Sequence, residues 1–255
     1  MSLSVPEPVL GRRRGSLTPV LSLGTGPPLI SVKCVIIGDT EIGKTCFLNS
    51  FVNPGQDVEK EYIPTVFDTF SVTKDLQNRA QIALSLYDTS GSDKNQIIRL
   101  DTYSQTDVFI LAFAIDNIHS FDNVKKKWFK EIKHFGSVGA NTNDIPVMLI
   151  GMKSDTRKET KRQTSQLRIA DDEMNEVFED PTMTPRTFRS RMFSAANKPM
   201  IYKKKKHMVS VSQGLVLATE LGAACYMECS SSDKIGIENI FEEVIKLGIS
   251  IYEKE

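Results

Sequence analysis

The chain has 255 residues, 40% of them hydrophobic, with 32 basic and 32 acidic side chains and a formal charge of zero. That supplies one sizeable core with appendages, and the charge balance argues against a nucleic-acid binder. No apolar run of about 18 residues is present, so no transmembrane helix is expected, and the N-terminus lacks the apolar stretch of a secretory signal.

Residues 1–30 hold five of the eleven prolines, several serines and glycines, and Arg12-Arg13-Arg14. This composition predicts a disordered extension. Arg13-Arg14-Gly15-Ser16 resembles a site for a basic-directed kinase; an inert solvated tail is the alternative. From residue 31 strands alternate with helices, the signature of an α/β domain with a mostly parallel sheet covered on both faces. Strands are expected at 31–37, 66–73, 81–88, 107–115, 145–151 and 224–229, and helices at 43–52, 93–104, 118–134, 211–222 and 236–252. The strands 66–73 and 81–88 flank a polar turn and suit a hairpin, which adds one antiparallel edge strand. Residues 156–208 break the rhythm with charge, prolines and Lys203-Lys204-Lys205-Lys206. They read as an insertion in a domain spanning 31–252, with a short helix near 166–179 and a tail at 253–255. The lysine run suits anionic lipid or an acidic partner, or is simply a solvated loop. Cys34, Cys46, Cys225 and Cys229 show no metal-ligand spacing and read as reduced thiols of an intracellular protein.

Between the first strand and the first helix stands Gly38-Asp39-Thr40-Glu41-Ile42-Gly43-Lys44-Thr45, followed by Cys46. This is the G-x-x-x-x-G-K-[ST] pattern of a phosphate loop. Its backbone N–H groups and the helix N-terminus suit anionic phosphates. Lys44 is expected to reach the outer phosphates, and the Thr45 hydroxyl to ligate Mg²⁺. Asp88-Thr89-Ser90-Gly91 ends the third strand, so Asp88 is placed to hold Mg²⁺ through water and Gly91 to offer its N–H to a γ-phosphate. Thr65, in Tyr62-Ile63-Pro64-Thr65-Val66-Phe67-Asp68, is placed to complete the metal's ligands and so to order its loop. Gly151-Met152-Lys153-Ser154-Asp155 follows a buried strand. Asp155 can accept two N–H bonds from guanine, a donor pair adenine lacks, while the Lys153 stem covers the ring. Ser230 and Ser231 end the sixth strand, where a backbone N–H can meet the guanine O6.

With these motifs the chain resembles a Ras-superfamily GTPase, and within it the Rho family. The likeness extends over residues 31–252 through Gln105-Thr106-Asp107-Val108-Phe109, Phe121-Asp122-Asn123-Val124, Trp128 and Tyr226-Met227-Glu228-Cys229-Ser230. It implies the P-loop NTPase, small-GTPase fold with a six-stranded sheet, GTP/GDP and Mg²⁺ as cofactors, Tyr62 and Cys46 among the nucleotide-binding residues, and exchange factors as partners. Effectors are expected on Tyr62–Asp68 and Ser90–Arg99. The insertion resembles the helical insert of Rho proteins, but is longer.

The chain departs from that family at chosen places. Thr40 stands where active members have Gly, Ser92 where they have the glutamine that orients the attacking water, and Ser90 where Ala is usual. These changes resemble the hydrolysis-deficient Rnd branch, so no catalytic residue is assigned and GTP hydrolysis is expected to be weak or absent. Val58 stands near the position of an aromatic that stacks on guanine, which predicts faster nucleotide release. Met152 is expected to weaken the guanine site slightly. The chain ends Ile251-Tyr252-Glu253-Lys254-Glu255, without a Cys box, and residue 2 is Ser. Neither prenylation nor N-myristoylation is therefore expected, and a dissociation inhibitor that cradles a prenyl group should bind poorly. The resulting expectation is a cytoplasmic protein that meets membranes through partners or through Lys203–Lys206.

Overall fold

Alternating buried and half-buried residues along the third strand, and an unbroken buried run along the fourth, announce a sheet with covered faces. The computed structural model describes residues 29–56, 64–76, 80–136, 145–158 and 208–252. Six strands form one sheet: β1 (Leu29–Gly38), β2 (Phe67–Leu76), β3 (Ala80–Thr89), β4 (Val108–Ala114), β5 (Val147–Met152) and β6 (Cys225–Glu228). Their order is β2-β3-β1-β4-β5-β6, with β2 antiparallel to β3 and the other pairings parallel.

Helix α1 (Lys44–Val52) follows β1. A single-turn 3₁₀ segment (Asp93–Asn95) leads into α2 (Gln96–Asp101). Between β4 and β5 run α3 (Ile118–Asn123), a π-helical turn (Val124–Trp128) and α4 (Phe129–Phe135). Helices α5 (Val211–Leu221) and α6 (Ile237–Tyr252) flank β6. The expected helix over 93–104 is therefore broken and ends at Asp101. Its first turn is the 3₁₀ segment, which Ser92 caps by accepting from the Lys94 N–H, at 3.3 Å. The polar turn expected over Lys74–Arg79 begins later, since β2 continues through Leu76; its remainder at 77–79, the helix expected near 166–179 and the N-terminal extension lie outside the described residues.

Side chains sort by strand period into two cores. On one face Val32, Cys34 and Ile36 pack with Phe47, Leu48 and Phe51 of α1 and Ile240, Phe241 and Val244 of α6. The Phe51 and Phe241 rings stack at 3.8 Å. On the other, Val35, Ile37, Leu111 and Phe113 pack with Trp128, Ile132 and Leu217. Helix α5 lies so close to β6 that a Cβ on Gly214 would sit 2.1 Å from the Tyr226 ring. The loops leaving β1 and β3 go to opposite faces, because α1 joins the first core while Leu100 and Tyr103 join the second. That divergence opens a crevice at the carboxyl ends of β1 and β3, where open α/β sheets bind ligands.

Candidate nucleotide site

The register of the sheet assembles the site. Parallel pairing sets Asp88 opposite Ile36, two residues before Gly38. Antiparallel pairing sets Asp68 opposite Asp88, so the hairpin delivers Thr65 to the same place. The Thr45 hydroxyl donates to Asp88 Oδ2 at 2.5 Å and lies 2.9 Å from the Thr65 hydroxyl. Asp88 Oδ1 is buried without a hydrogen-bond partner, and burial raises the Asp88 pKa despite the Thr45 bond and nearby Lys44.

These groups fit Mg²⁺. Oxygen ligands at roughly 2.0–2.1 Å on an octahedron have neighbours about 2.9 Å apart, the separation of the two threonine hydroxyls. A cation also answers the orphaned oxygen and the burial of the Asp88 carboxylate, through water.

The phosphate loop is built by backbone demands. A Cβ on Gly38 would lie 2.3 Å from the Ala112 carbonyl oxygen, and Gly43 adopts φ 102 as it caps α1. Glu41 also takes a positive φ of 62. Ile42 is buried in the core, whereas the side chains of Thr40 and Glu41 are exposed and Cys46 is half-buried. Lys44 Nζ donates to the carbonyls of Gly38 at 3.0 Å and Asp39 at 2.7 Å. Burial pushes its pKa down to about 8, against the pull of Asp88 and Asp39. A buried ammonium held within the loop is suited to a polyanion.

Asp39 contributes its backbone to the loop, but its carboxylate faces away. It accepts from the Trp128 indole N–H and from Asn123 Nδ2, both at 2.7 Å. The π turn, in which the Phe129 N–H bonds the Val124 carbonyl, sets Trp128 at that contact. Gly91 lies over the loop, and a Cβ there would fall 2.3 Å from the Thr40 nitrogen. The hydroxyl of Ser90 accepts from Asn95 Nδ2 at 3.0 Å and from the Ser92 N–H at 3.3 Å. Beneath them Arg99 donates to the carbonyls of Ser90 at 2.7 Å and Ser92 at 3.1 Å, and forks onto Glu131 at 2.8 and 2.9 Å. Tyr103 donates to the same carboxylate at 2.6 Å. Burial opposes the Glu131 charge, but the bonds from Arg99 and Tyr103 outweigh it and hold its pKa below the ordinary value.

At the other end of the crevice, β5 and β6 pair Gly151 with Glu228. This brings Asp155 to Ser230, whose hydroxyl donates to Asp155 Oδ1 at 2.6 Å. Lys153, at φ 61, reaches back along the phosphate loop and donates to the Glu41 carbonyl at 2.8 Å. Ser231 is half-buried on the same turn. Met152 is 2% exposed and belongs to the core under the sheet.

Residues 33–249 match the family model described as Ras family. The chain belongs to the Ras family. Together with the six-stranded sheet this makes the fold that of a P-loop small GTPase. The family assigns a GTP-binding switch that uses GTP/GDP with Mg²⁺ and meets effectors and exchange factors. The expected site residues other than Tyr62 come together in one crevice; Tyr62, Val58 and Lys203–Lys206 lie outside the described residues. Three supporting contacts carry no signal in the order of residues: Asn123 and Trp128 on Asp39, the Arg99–Glu131–Tyr103 cluster, and an Arg157–Glu228 pair beside Asp155. Asn123, Trp128 and Glu228 stand in motifs of the resemblance, but their partners do not follow from those motifs.

Proposed function

We propose that this GTPase is a Rho-like switch that hydrolyses GTP slowly or not at all, stays largely GTP-loaded, and recruits effectors through Tyr62–Asp68 and Ser90–Arg99. The observation that carries this reading is Ser92. Its hydroxyl is occupied as the N-cap of the 3₁₀ turn, and it is shorter than the glutamine that orients water in active relatives. Thr40 adds a side chain to the loop directly under Gly91, where a catalytic glutamine and a partner's arginine would need room. The resemblance to Rho proteins suggests roles in cytoskeletal organisation, polarity or membrane trafficking.

In this reading Lys44 holds the outer phosphates, and Thr45, Thr65 and water on Asp88 hold Mg²⁺. The metal supplies charge neutralisation of the phosphates. Asp155 and Lys153 hold guanine with the backbone at Ser230 and Ser231.

Single-turnover GTP hydrolysis with Mg²⁺ tests it, comparing the wild type with a Thr40→Gly/Ser92→Gln double variant. A near-inert wild type and an active double variant support the loaded switch. A wild type that turns over at the pace of ordinary family members refutes it and makes this a conventional cycling GTPase, controlled by exchange factors and activating proteins.

A further inference from the structure

The loop that ends β5 and the loop that ends β6 are tied twice. Ser230 bonds Asp155, as described. Two residues beyond Asp155, Arg157 forks onto Glu228, two residues before Ser230. Its Nη1 meets Glu228 Oε2, and its Nη2 donates to Oε1 at 2.9 Å. The same Nη2 donates to the Val209 carbonyl at 2.5 Å. Glu228 Oε1 also accepts from the Tyr226 hydroxyl at 2.5 Å. Both ends of the ion pair are mostly buried, with side chains 24% and 17% exposed. Val209 is fully buried and its N–H donates to the Ile115 carbonyl at 2.9 Å.

We infer that Arg157 and Glu228 are positioning residues for guanine selectivity. This rests on the reading of Asp155 as the base-binding carboxylate. A carboxylate offers about four acceptor sites, and Ser230 takes one on Oδ1. The rest discriminate guanine only if the carboxylate is held in one orientation, which a lone serine hydroxyl does not ensure. A planar guanidinium on a carboxylate fixes both distance and rotation between the two segments it joins. Here those segments carry Asp155 and Ser230. The contact with Val209 adds a third segment, where the chain returns from the 159–207 stretch, so the base loop and that return share one guanidinium.

Inosine triphosphate is the informative probe, because it keeps the ring N–H of guanine and lacks the 2-amino group. Equilibrium binding of GTP and ITP to the full chain with Mg²⁺, together with thermal melting, is measured for the wild type, Arg157→Ala, Arg157→Lys and Glu228→Gln. Loss of a charge-assisted fork predicts a fall of about tenfold in the GTP-over-ITP preference for Arg157→Ala. Arg157→Lys keeps the charge but not the fork and should fall between. Glu228→Gln keeps an acceptor for Tyr226 and should behave as Arg157→Ala, which preserves the test if the alanine variant does not fold. An unchanged GTP-to-ITP ratio with a lowered melting temperature overturns the proposal and makes the pair a scaffold only. A wild type without preference for GTP over ITP overturns the reading of Asp155 itself.

Discussion

Glu131→Gln is the sharpest perturbation of the cluster beneath the phosphate loop. The Arg99 and Glu131 side chains are 1% and 6% exposed, and two short bonds join them. Glutamine keeps the volume and one acceptor for Tyr103, but leaves the guanidinium without a counter-charge. Its remaining partners are two neutral carbonyls, of Ser90 and Ser92. Removing one member of a buried ion pair costs about 3–5 kcal/mol, most of it the burden of the charge left behind. In a domain of this size each kcal/mol lowers Tm by roughly 2–4 °C, so a drop of about 6–20 °C is expected. Urea unfolding should show a lower midpoint with an unchanged slope. The pH dependence gives an independent sign. The folded pKa of Glu131 is depressed from 4.5, so its stabilisation is complete above that value and is lost as pH falls through the lower folded pKa. The variant should therefore lack that part of the acid destabilisation. Arg99→Met/Glu131→Leu should cost less than the sum of the single changes, since no charge is left unpaired. A Glu131→Gln melting point within about 2 °C of the wild type, less than a single kcal/mol, would refute the reasoning.

Three further outcomes follow from the same crevice. Because the Lys44 pKa in the ligand-free protein is about 8, it is charged below that pH and must take up a proton to hold phosphate above it. Nucleotide affinity should thus fall as pH rises past about 8, and calorimetry in buffers of different ionisation enthalpy should show proton uptake there that a Lys44→Arg variant lacks. Gly91→Ala should push the segment off the phosphate loop, because its methyl group would meet the Thr40 nitrogen at 2.3 Å; a loss of about 1–3 kcal/mol in urea unfolding is expected, as for overpacking. Trp128→Phe removes a donor from the Asp39 carboxylate and should cost about 1.5–3 kcal/mol, while the emission of this sole tryptophan should change when nucleotide is stripped from the wild type.

How much of this was legible depends on whether the information is local. Strand β4 is an apolar run and is buried throughout, so its existence as a strand, expected at 107–115, could be read directly. The phosphate loop is equally legible, because it is one contiguous stretch and only glycine satisfies positions 38 and 43. The 3₁₀ turn after Ser92 was not legible because apolar periodicity carries no record of a serine hydroxyl bonding backbone N–H groups. The π turn was missed for a different reason. No residue type demands an extra residue in the helical ladder; here the turn accompanies a bond between Trp128 and Asp39, 89 positions apart. Arg157 and Glu228 are separated by 71 positions; Glu228 stands in the Tyr226–Ser230 motif, but nothing in that motif names Arg157 as its partner. The two ends of the crevice differ in this respect. The proposed phosphate-binding residues lie in one short stretch of chain, which a pattern can record. Around Asp155, the proposed base-binding carboxylate, side chains converge from three separate segments, and that convergence exists only once the sheet has paired β5 with β6.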